Sequence, residues 1–104
     1  MLFNRKRKPT KIKKNEIRVQ KDNGHPAYVY LEQGENAHIF SITHAEDTKK
    51  KKNIKLPHNP NRQDKEPSFA LKKTRIIPKQ NLKKKKANWK MSRKNKDKLS
   101  RLKT

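Results

Sequence analysis

The sequence predicts a small, mainly β protein, either an antiparallel barrel or a strongly curved sheet, with a short C-terminal helix and basic, flexible arms. Three observations indicate this fold class. The chain has 104 residues, which is room for one domain. Residues 22–48 contain no Lys or Arg and hold much of the apolar content. Short runs of alternating apolar residues are separated by turn-forming residues, which is typical of strands.

A β-hairpin is the clearest predicted element. Residues 27–31 alternate, with Ala, Val and Leu on one face and two tyrosines on the other. Residues 33–36 follow with turn chemistry, since their glycine can adopt a positive φ. Residues 37–43 form the second run, which places Phe40 and Ile42 on one face. Two such runs, joined by a short loop that contains glycine, predict a hairpin.

Further short strands are expected around the hairpin because β-branched and apolar residues recur there. They are a first strand from Ile12, Ile17 and Val19, and later segments at 53–56, 68–71 and 74–77. The run Lys49–Lys52 is predicted to form a charged loop between strands. Five short strands joined by short loops favour a small antiparallel barrel or a strongly curved sheet.

A short helix is predicted near the C-terminus. Ser92 can cap a helix that runs to about Leu102, with Leu99 and Leu102 on one face. Lys-rich segments with few apolar residues are expected to stay solvated and flexible alone, and to order on a polyanion. The predicted organisation is a basic N-terminal arm at 1–15, a β core at 16–82 and a basic C-terminal tail at 83–104.

The composition excludes several classes of protein. Lys and Arg number 31 against 9 Asp and Glu, for a formal net charge of +22. Without cysteine, the chain offers no disulfide, thiolate metal site or Cys nucleophile. It has no apolar run long enough to span a bilayer, and no apolar segment of a secretory signal follows the basic start Met1–Lys8. We therefore expect a cytoplasmic protein that does not bind membranes and whose partner is RNA or another polyanionic nucleic acid.

Clusters of lysine are the strongest general indication of nucleic-acid binding. Each lysine that neutralises a phosphate releases a counterion, and lysine favours backbone contacts where arginine would read guanine. Trp89, isolated between Lys-rich runs, can either stack on a single-stranded base or pack the tail onto the core. The predicted nucleic-acid-binding residues are Lys49, Lys50, Lys51, Lys52, Lys72, Lys73, Lys83, Lys84, Lys85, Lys86 and Trp89.

Three stretches between residues 25 and 82 carry a resemblance to a known family. His25–Tyr30 starts a hydrophobic strand with a basic residue and a proline, and Phe40–His44 contains a strand that ends in Ile-Thr. Ser68–Ile77 combines an apolar strand with a segment that contains arginine. In this order they resemble the MazF/PemK-like toxins of the CcdB/Kid type, which are mostly ribosome-independent endoribonucleases. The resemblance implies an SH3-like, PemK-like fold, RNA as the substrate, a homodimer and an acidic antitoxin as partner.

The resemblance also implies roles for particular residues. Arg75 would stabilise charge on the scissile phosphate or act as the acid, and Thr43 would help to position that phosphate. His25 stands where the family often has an arginine near the RNA. The sequence differs from the family pattern at the opening of the first strand, where the usual Gly-Asp is missing, and at two further positions. His44 stands in place of the serine that commonly follows the threonine, and Ile76 in place of the aspartate that often follows the arginine.

The residues themselves include the groups that RNA cleavage requires. Metal-independent cleavage needs a base for the 2′-hydroxyl, an acid for the leaving oxygen and a cation at the phosphate. His25, His44 and Arg75 are of these types, because imidazole both accepts and donates protons near neutrality. Two alternatives stay open, with His44 as a polar strand end and Arg75 as an exposed strand cation. No histidine pair has the spacing of a zinc site, so we expect neither a metal nor another cofactor.

The leading hypothesis is a cytoplasmic RNA-binding protein that resembles the MazF/PemK-like toxins of toxin–antitoxin systems. Whether it also cleaves the RNA, as a metal-independent endoribonuclease, stays open at this point because the acid–base residues match the family only in part. The alternative is a non-enzymatic nucleic-acid-binding accessory protein, associated with the ribosome or with a mobile element. A third function, attachment to anionic membranes, is disfavoured because the chain lacks an amphipathic helix with bulky apolar residues.

Overall fold

The computed structural model describes residues 12–48, 51–61, 63–83 and 89–101. A 3₁₀ turn, Lys79–Asn81, joins the last strand to the C-terminal part. The regular elements within these ranges are β1 (Ile17–Val19), β2 (Pro26–Gln33), β3 (Asn36–Thr43), β4 (Asp47–Thr48), β5 (Lys51–Lys52), β6 (Ile54–Lys55), β7 (Phe69–Ala70), β8 (Arg75–Pro78) and α1 (Arg93–Arg101).

Six strands form one antiparallel sheet in the order β1-β2-β3-β7-β6, with β8 also paired to β3. The first half of β3 pairs with β8, Ile39 lying opposite Arg75, and its end pairs with β7, Thr43 lying opposite Phe69. The mainly β, antiparallel class with one C-terminal helix is therefore confirmed. The closed barrel is not: the strands within the described ranges leave the sheet open.

The β2–β3 hairpin is formed as predicted, with a loop that is tighter than expected. Gln33 pairs with Asn36, and Gly34 has a φ of +59° at the first loop position, where glycine avoids the clash of a Cβ. A bulge interrupts the register between Val29 and Leu31. The prediction that Leu31 lies on the same face as Val29 is wrong. The extra residue shifts the alternation by one position and leaves Leu31 41% exposed.

Apolar side chains are buried on both faces of the sheet. Alternate residues of β3 explain this, since Phe40 and Ile42 belong to one cluster and Ile39 to the other. The first cluster contains Ile17, Tyr28, Phe40, Ile42, Ile54, Leu56, Ala70, Met91 and Leu99. The second contains Ile12, Ala27, Val29, Ala37, Ile39, Ile77 and Leu82. Residues from both predicted arms, Ile12 at one end and Met91 and Leu99 at the other, thus contribute to the core.

Helix α1 begins at the predicted cap. Ser92 Oγ accepts a hydrogen bond from the backbone N–H of Asn95 at 3.1 Å, which satisfies one of the free donors of the first turn. Leu99 is buried against the sheet, and Leu102 lies outside the described residues. No helix in the described ranges is long and apolar enough to cross a membrane.

The side chain of Asn95 ties α1 to the loop that follows β6. It is fully buried, its Nδ2 donates to the carbonyl oxygen of His58 at 2.7 Å, and its Oδ1 accepts from the His58 backbone N–H at 3.0 Å. Lys98 adds a third tie by donating to the carbonyl oxygen of Lys55 at 2.6 Å. The backbone of residues 55–58 is therefore held against the helix by hydrogen bonds to the side chains of Asn95 and Lys98.

The lysine run after β3 is partly in a strand. Asp47 pairs with Lys52 and Thr48 with Lys51, so Lys51 and Lys52 belong to a two-stranded ribbon rather than to the predicted loop. Charged side chains are compatible with such a ribbon because both of its faces are solvated. Lys49 and Lys50 lie outside the described residues.

Candidate functional site

A cavity of about 190 Å³ lies where the start of β2 meets the end of β3. The two strands run antiparallel with Ala27 opposite Ser41, which brings the residue before β2 beside the last residues of β3. His25, Thr43, His44 and Trp89 all line this cavity. The remaining lining residues are Pro26, Ile42, Asn59 and Ser68. The fold thus brings together three of the four residues predicted to be catalytic, along with the tryptophan predicted to contact bases.

His44 forms a hydrogen-bonded pair with a carboxylate. Its Nε2 lies 2.6 Å from Oδ2 of Asp64, and the His44 side chain is 60% exposed while that of Asp64 is 21% exposed. The Glu66 backbone N–H, together with the His44 ring, holds the pKa of the Asp64 carboxyl below its usual value. Asp64 is therefore charged near neutrality and fixes the orientation of the imidazole.

The loop that carries Asp64 is built from short polar side chains that bind nearby backbone. Asn59 Oδ1 accepts from the Asn61 N–H at 2.9 Å, and Asn59 Nδ2 donates to the carbonyl oxygen of Glu66 at 2.8 Å. Asn61 forms an isolated bridge with Trp89, so the loop is also joined to the segment before α1. Asn is suited to such turns because its side chain mimics a backbone group. These bonds position Asp64 beside the end of β3.

Thr43 and Trp89 shape the rest of the cavity. Thr43 Oγ1 accepts from the backbone N–H of Ala45 at 3.1 Å, which leaves the hydroxyl proton able to donate to a ligand. Trp89 is half-buried and packs against the first apolar cluster. Packing of the tail onto the core, one of the two roles predicted for Trp89, is therefore observed. Stacking on a base stays a prediction.

Arg75 does not line the cavity. Its NH2 lies 3.0 Å from Oδ2 of Asp22, and its NH1 donates to Oε1 of Gln20. The hydrogen bond from Arg75 holds the pKa of the Asp22 carboxyl below its usual value. Gln20 is fully buried and donates to Ser41 Oγ at 2.9 Å. The arginine predicted to act on the phosphate therefore belongs instead to a polar network with Asp22, Gln20 and Ser41.

That network supports the histidine on the other side of the cavity. The Gln20 backbone N–H donates to the carbonyl oxygen of His25 at 3.0 Å, and the Gly24 N–H donates to that of Gln20 at 2.9 Å. Gly24 has a φ of +75°, which glycine adopts without strain. Arg75 is therefore connected to His25 indirectly, through Gln20 and the turn at residues 20–25.

A larger cavity of about 760 Å³ adjoins the first. Asn59 and Ser68 line both cavities, and Asp64 lines the larger one while its carboxylate binds His44 in the smaller. Three cations line the larger cavity, against the two carboxylates of Asp64 and Glu66; they are Lys55, Lys65 and Lys90. A phosphate chain placed along both cavities would meet net positive charge in the larger and two imidazoles in the smaller.

The predicted lysines are distributed differently. Lys72 and Lys73 are exposed after β7, Lys83 is exposed after the 3₁₀ turn, and none of these three lines the smaller cavity. Lys84, Lys85 and Lys86 lie outside the described residues. Across the described part of the chain, no three His, Asp or Glu side chains lie close enough together to hold a metal ion.

Sequence reasoning missed Asp64, Gln20 and Asn59. Nothing in the spacing links residue 44 to residue 64, because the intervening chain forms a ribbon, a strand and a loop before it returns. The only sequence signal was the Asn-Pro-Asn composition of residues 59–61, which predicts a turn without saying what the turn approaches.

No family model, no curated protein and no solved structure matches this chain.

Proposed function

We propose that the protein binds single-stranded RNA and cleaves it without a metal ion, with His25 and His44 as the acid–base pair. One observation carries the proposal: two imidazoles line a single small cavity, and one of them is hydrogen-bonded to a carboxylate. The proposal keeps the endoribonuclease activity that the resemblance to MazF/PemK-like toxins implies. It transfers the proton chemistry from Arg75 to the histidines.

The proposed reaction balances between the two rings. Neutral His44 takes the proton of the ribose 2′-hydroxyl at Nδ1, since its Nε2 is engaged by Asp64. The 2′-oxygen forms a bond to phosphorus, the bond from phosphorus to the 5′-oxygen breaks, and protonated His25 gives its proton to that oxygen. The products are a 2′,3′-cyclic phosphate and a 5′-hydroxyl. Asp64 stabilises the imidazolium that forms at His44.

The remaining lining residues suit a single-stranded substrate. The Thr43 hydroxyl can donate to a phosphate oxygen, and the indole of Trp89 offers a surface for a base. DNA lacks the 2′-hydroxyl and therefore has no nucleophile for this reaction. The net charge of +22 supplies affinity for either strand, so we expect binding to both and cleavage of RNA alone.

An SH3-like, PemK-like form of the sheet, a cytoplasmic location, a homodimer and an acidic antitoxin-like partner belong to the same proposal. The open antiparallel sheet with one helix packed on its face is compatible with that fold. The cations around the larger cavity, Lys55, Lys65 and Lys90, would attract an acidic segment as readily as a phosphate chain.

The second candidate, a non-enzymatic nucleic-acid-binding accessory protein, is favoured by the position of Arg75. The resemblance makes this arginine catalytic, yet it is paired with Asp22 and Gln20 outside the cavity. A protein that only binds would require no more of Arg75 than support of the local structure.

Incubation with labelled single-stranded RNA and a DNA of the same sequence, in the presence of a chelator, tests the proposal. His25→Ala and His44→Ala should each lower the cleavage rate by about 10²–10⁴-fold, with RNA affinity within about threefold of wild type. His38→Ala is the matched control, because that ring binds Gln33 on the hairpin and lies outside the cavity. Discrete RNA fragments should end in a cyclic phosphate.

Two results contradict the proposal. Salt-sensitive binding to both strands without cleavage would leave the accessory protein as the function. Cleavage that survives both histidine substitutions but is lost in Arg75→Ala would return the proton chemistry to the arginine.

A further inference from the structure

A third cavity, of about 310 Å³, lies between α1 and the sheet, and it takes no part in the reaction proposed above. Its sheet side is aromatic and its helix side is charged. A volume near 300 Å³ is at the lower end of the range for small-molecule sites, which is about 300–1,000 Å³. None of its lining residues is among those predicted above to be catalytic or to bind nucleic acid.

The aromatic side consists of Tyr28, Tyr30 and Phe40. Tyr28 and Phe40 are buried, whereas Tyr30 is half-buried and lies with its ring centroid 5.1 Å from that of Phe40. Tyr30 is the residue at the β2 bulge, and bulges commonly redirect one side chain at a binding site. Tyr30 still faces the same side of the sheet as Tyr28, so both rings line the cavity.

A second backbone irregularity lies at the same cavity. Asn15, which lines it, has a φ of +75°, unusual for a residue with a Cβ although better tolerated by Asn than by most. Its Oδ1 accepts a hydrogen bond of 2.6 Å from the hydroxyl of Tyr28, and burial raises the pKa of Tyr28 to about 12. These contacts fix the aromatic wall of the cavity.

The charged side has three cations and one acid. Arg93 and Lys96 come from α1 and Lys14 from the segment before β1, while Asp97 is the single carboxylate. Guanidinium and ammonium groups that line one cavity from two segments suit a phosphate. A carboxylate beside them can accept a hydrogen bond from a ribose hydroxyl or a base amino group.

We propose that this cavity is a nucleotide-binding subsite, with the phosphate held by Lys14, Arg93 and Lys96 and the base against Tyr30. The inference rests on the proposed function, in which the nucleotide belongs to a bound RNA strand. A free mononucleotide presents the same chemistry, so the test must separate the two sources.

The subsite and the histidine cavity lie on one face of the sheet. Phe40 lines the first and Ile42 the second, and these residues are two apart on β3, or about 7 Å. Trp89 and Leu99 line the histidine cavity and the subsite respectively, so the segment that joins them crosses this face. An RNA strand held at both places would be gripped on either side of that segment.

Titration of the whole protein with 5′-AMP, followed by backbone amide NMR shifts, tests the subsite. Amides of Tyr30 and Lys96 should shift, and the Arg93→Ala/Lys96→Ala double variant should raise the half-saturating concentration by at least about tenfold. Lys94→Ala is the matched control, because Lys94 is exposed on the same helix and does not line the cavity. It should stay within about twofold of wild type.

Further ligands decide the source and the specificity. A short RNA with 2′-O-methyl groups, which cannot be cleaved, should shift the same amides, and it alone should do so if the nucleotide must belong to a strand. Inorganic phosphate that matches 5′-AMP in both shifts and affinity would overturn the nucleotide assignment. Absence of shifts at these amides with both 5′-AMP and the RNA would overturn the subsite as a whole.

The outcome for cleavage is scored separately. RNA cleavage that is intact in wild type without any cavity shift would refute the subsite and leave the ribonuclease in place. Cavity shifts in a protein that cuts no RNA would support the subsite and refute the ribonuclease.

Discussion

The replacement of Asn95 by alanine tests how α1 and the loop of the site depend on one another. Asn95 is fully buried and supplies both a donor and an acceptor to the backbone of His58, at 2.7 Å and 3.0 Å. Asn59 comes directly after His58 and lines the cavity. Asn95→Ala removes both hydrogen bonds and leaves α1 otherwise intact.

The magnitude follows from the contacts that are lost. Two hydrogen bonds to the backbone contribute about 1 kcal/mol each, and the packing of the deleted amide roughly 1 kcal/mol more. Alanine has the higher helix propensity and offsets about 0.6 kcal/mol of this loss. The free energy of unfolding should fall by about 2 kcal/mol, which corresponds to a decrease in Tm of about 8–16 °C for a domain of this size.

Urea unfolding followed by the fluorescence of Trp89 measures the effect, because Trp89 is the only tryptophan and bridges the same loop at Asn61. Asn36→Ala is the control, since Asn36 is exposed at the start of β3 and should change stability by less than about 0.5 kcal/mol. RNA cleavage by Asn95→Ala should also fall, because the loop carries Asp64. A loss of stability no larger than that of the control would refute the role given to Asn95.

Three further predictions concern proton binding and a turn. Burial raises the pKa of Tyr28 to about 12, against about 10 for an unfolded tyrosine. Its contribution to the free energy of unfolding is therefore complete below pH 10 and is lost as the pH rises to 12. Thermal unfolding between pH 9 and 12 should therefore show a steeper loss in wild type than in Tyr28→Phe, and equal slopes would contradict this. The lowered pKa of Asp64 makes its contribution complete above the usual value of 3.8 and lost as pH falls below it, so Asp64→Asn should narrow the difference in Tm between pH 6 and pH 3. An unchanged difference would contradict the lowered pKa of Asp64. Gly34→Ala should lower stability by about 1–2 kcal/mol because φ is +59°, whereas Glu35→Ala in the same loop should have little effect; urea unfolding compares them, and equal losses would refute the conformational cause.

Local patterns in the sequence were enough to predict the hairpin and the helix. The alternation over residues 27–43 and the Ser92 cap act over a few residues, and both elements form where they were expected. The bulge at Tyr30 was not predictable, because the alternation of residues 27–31 is regular and the register is set by the partner strand. Leu31 was therefore assigned to the wrong face.

The candidate site shows the same division between local and long-range information. His25, Thr43 and His44 were identified from residue types and resemblance, and the fold brings them to one cavity. Asp64 approaches His44 only because a loop returns across 20 residues, which no periodicity records. Arg75 has the right chemistry for a phosphate, but Asp22 and Gln20 bind it first.

The strand that holds the sheet together also sets an order of events during synthesis. The strands that pair with β3 on its second edge are synthesised well after it, since Phe69 follows Thr43 by 26 residues and Pro78 follows Asn36 by 42. A nascent hairpin therefore leaves the ribosome with one edge of β3 open, and an open edge is a template for pairing with another copy. The lysines at 49–52 emerge next, and like charges on neighbouring copies oppose such pairing. We therefore expect serines in place of these lysines to lower the soluble yield of the protein.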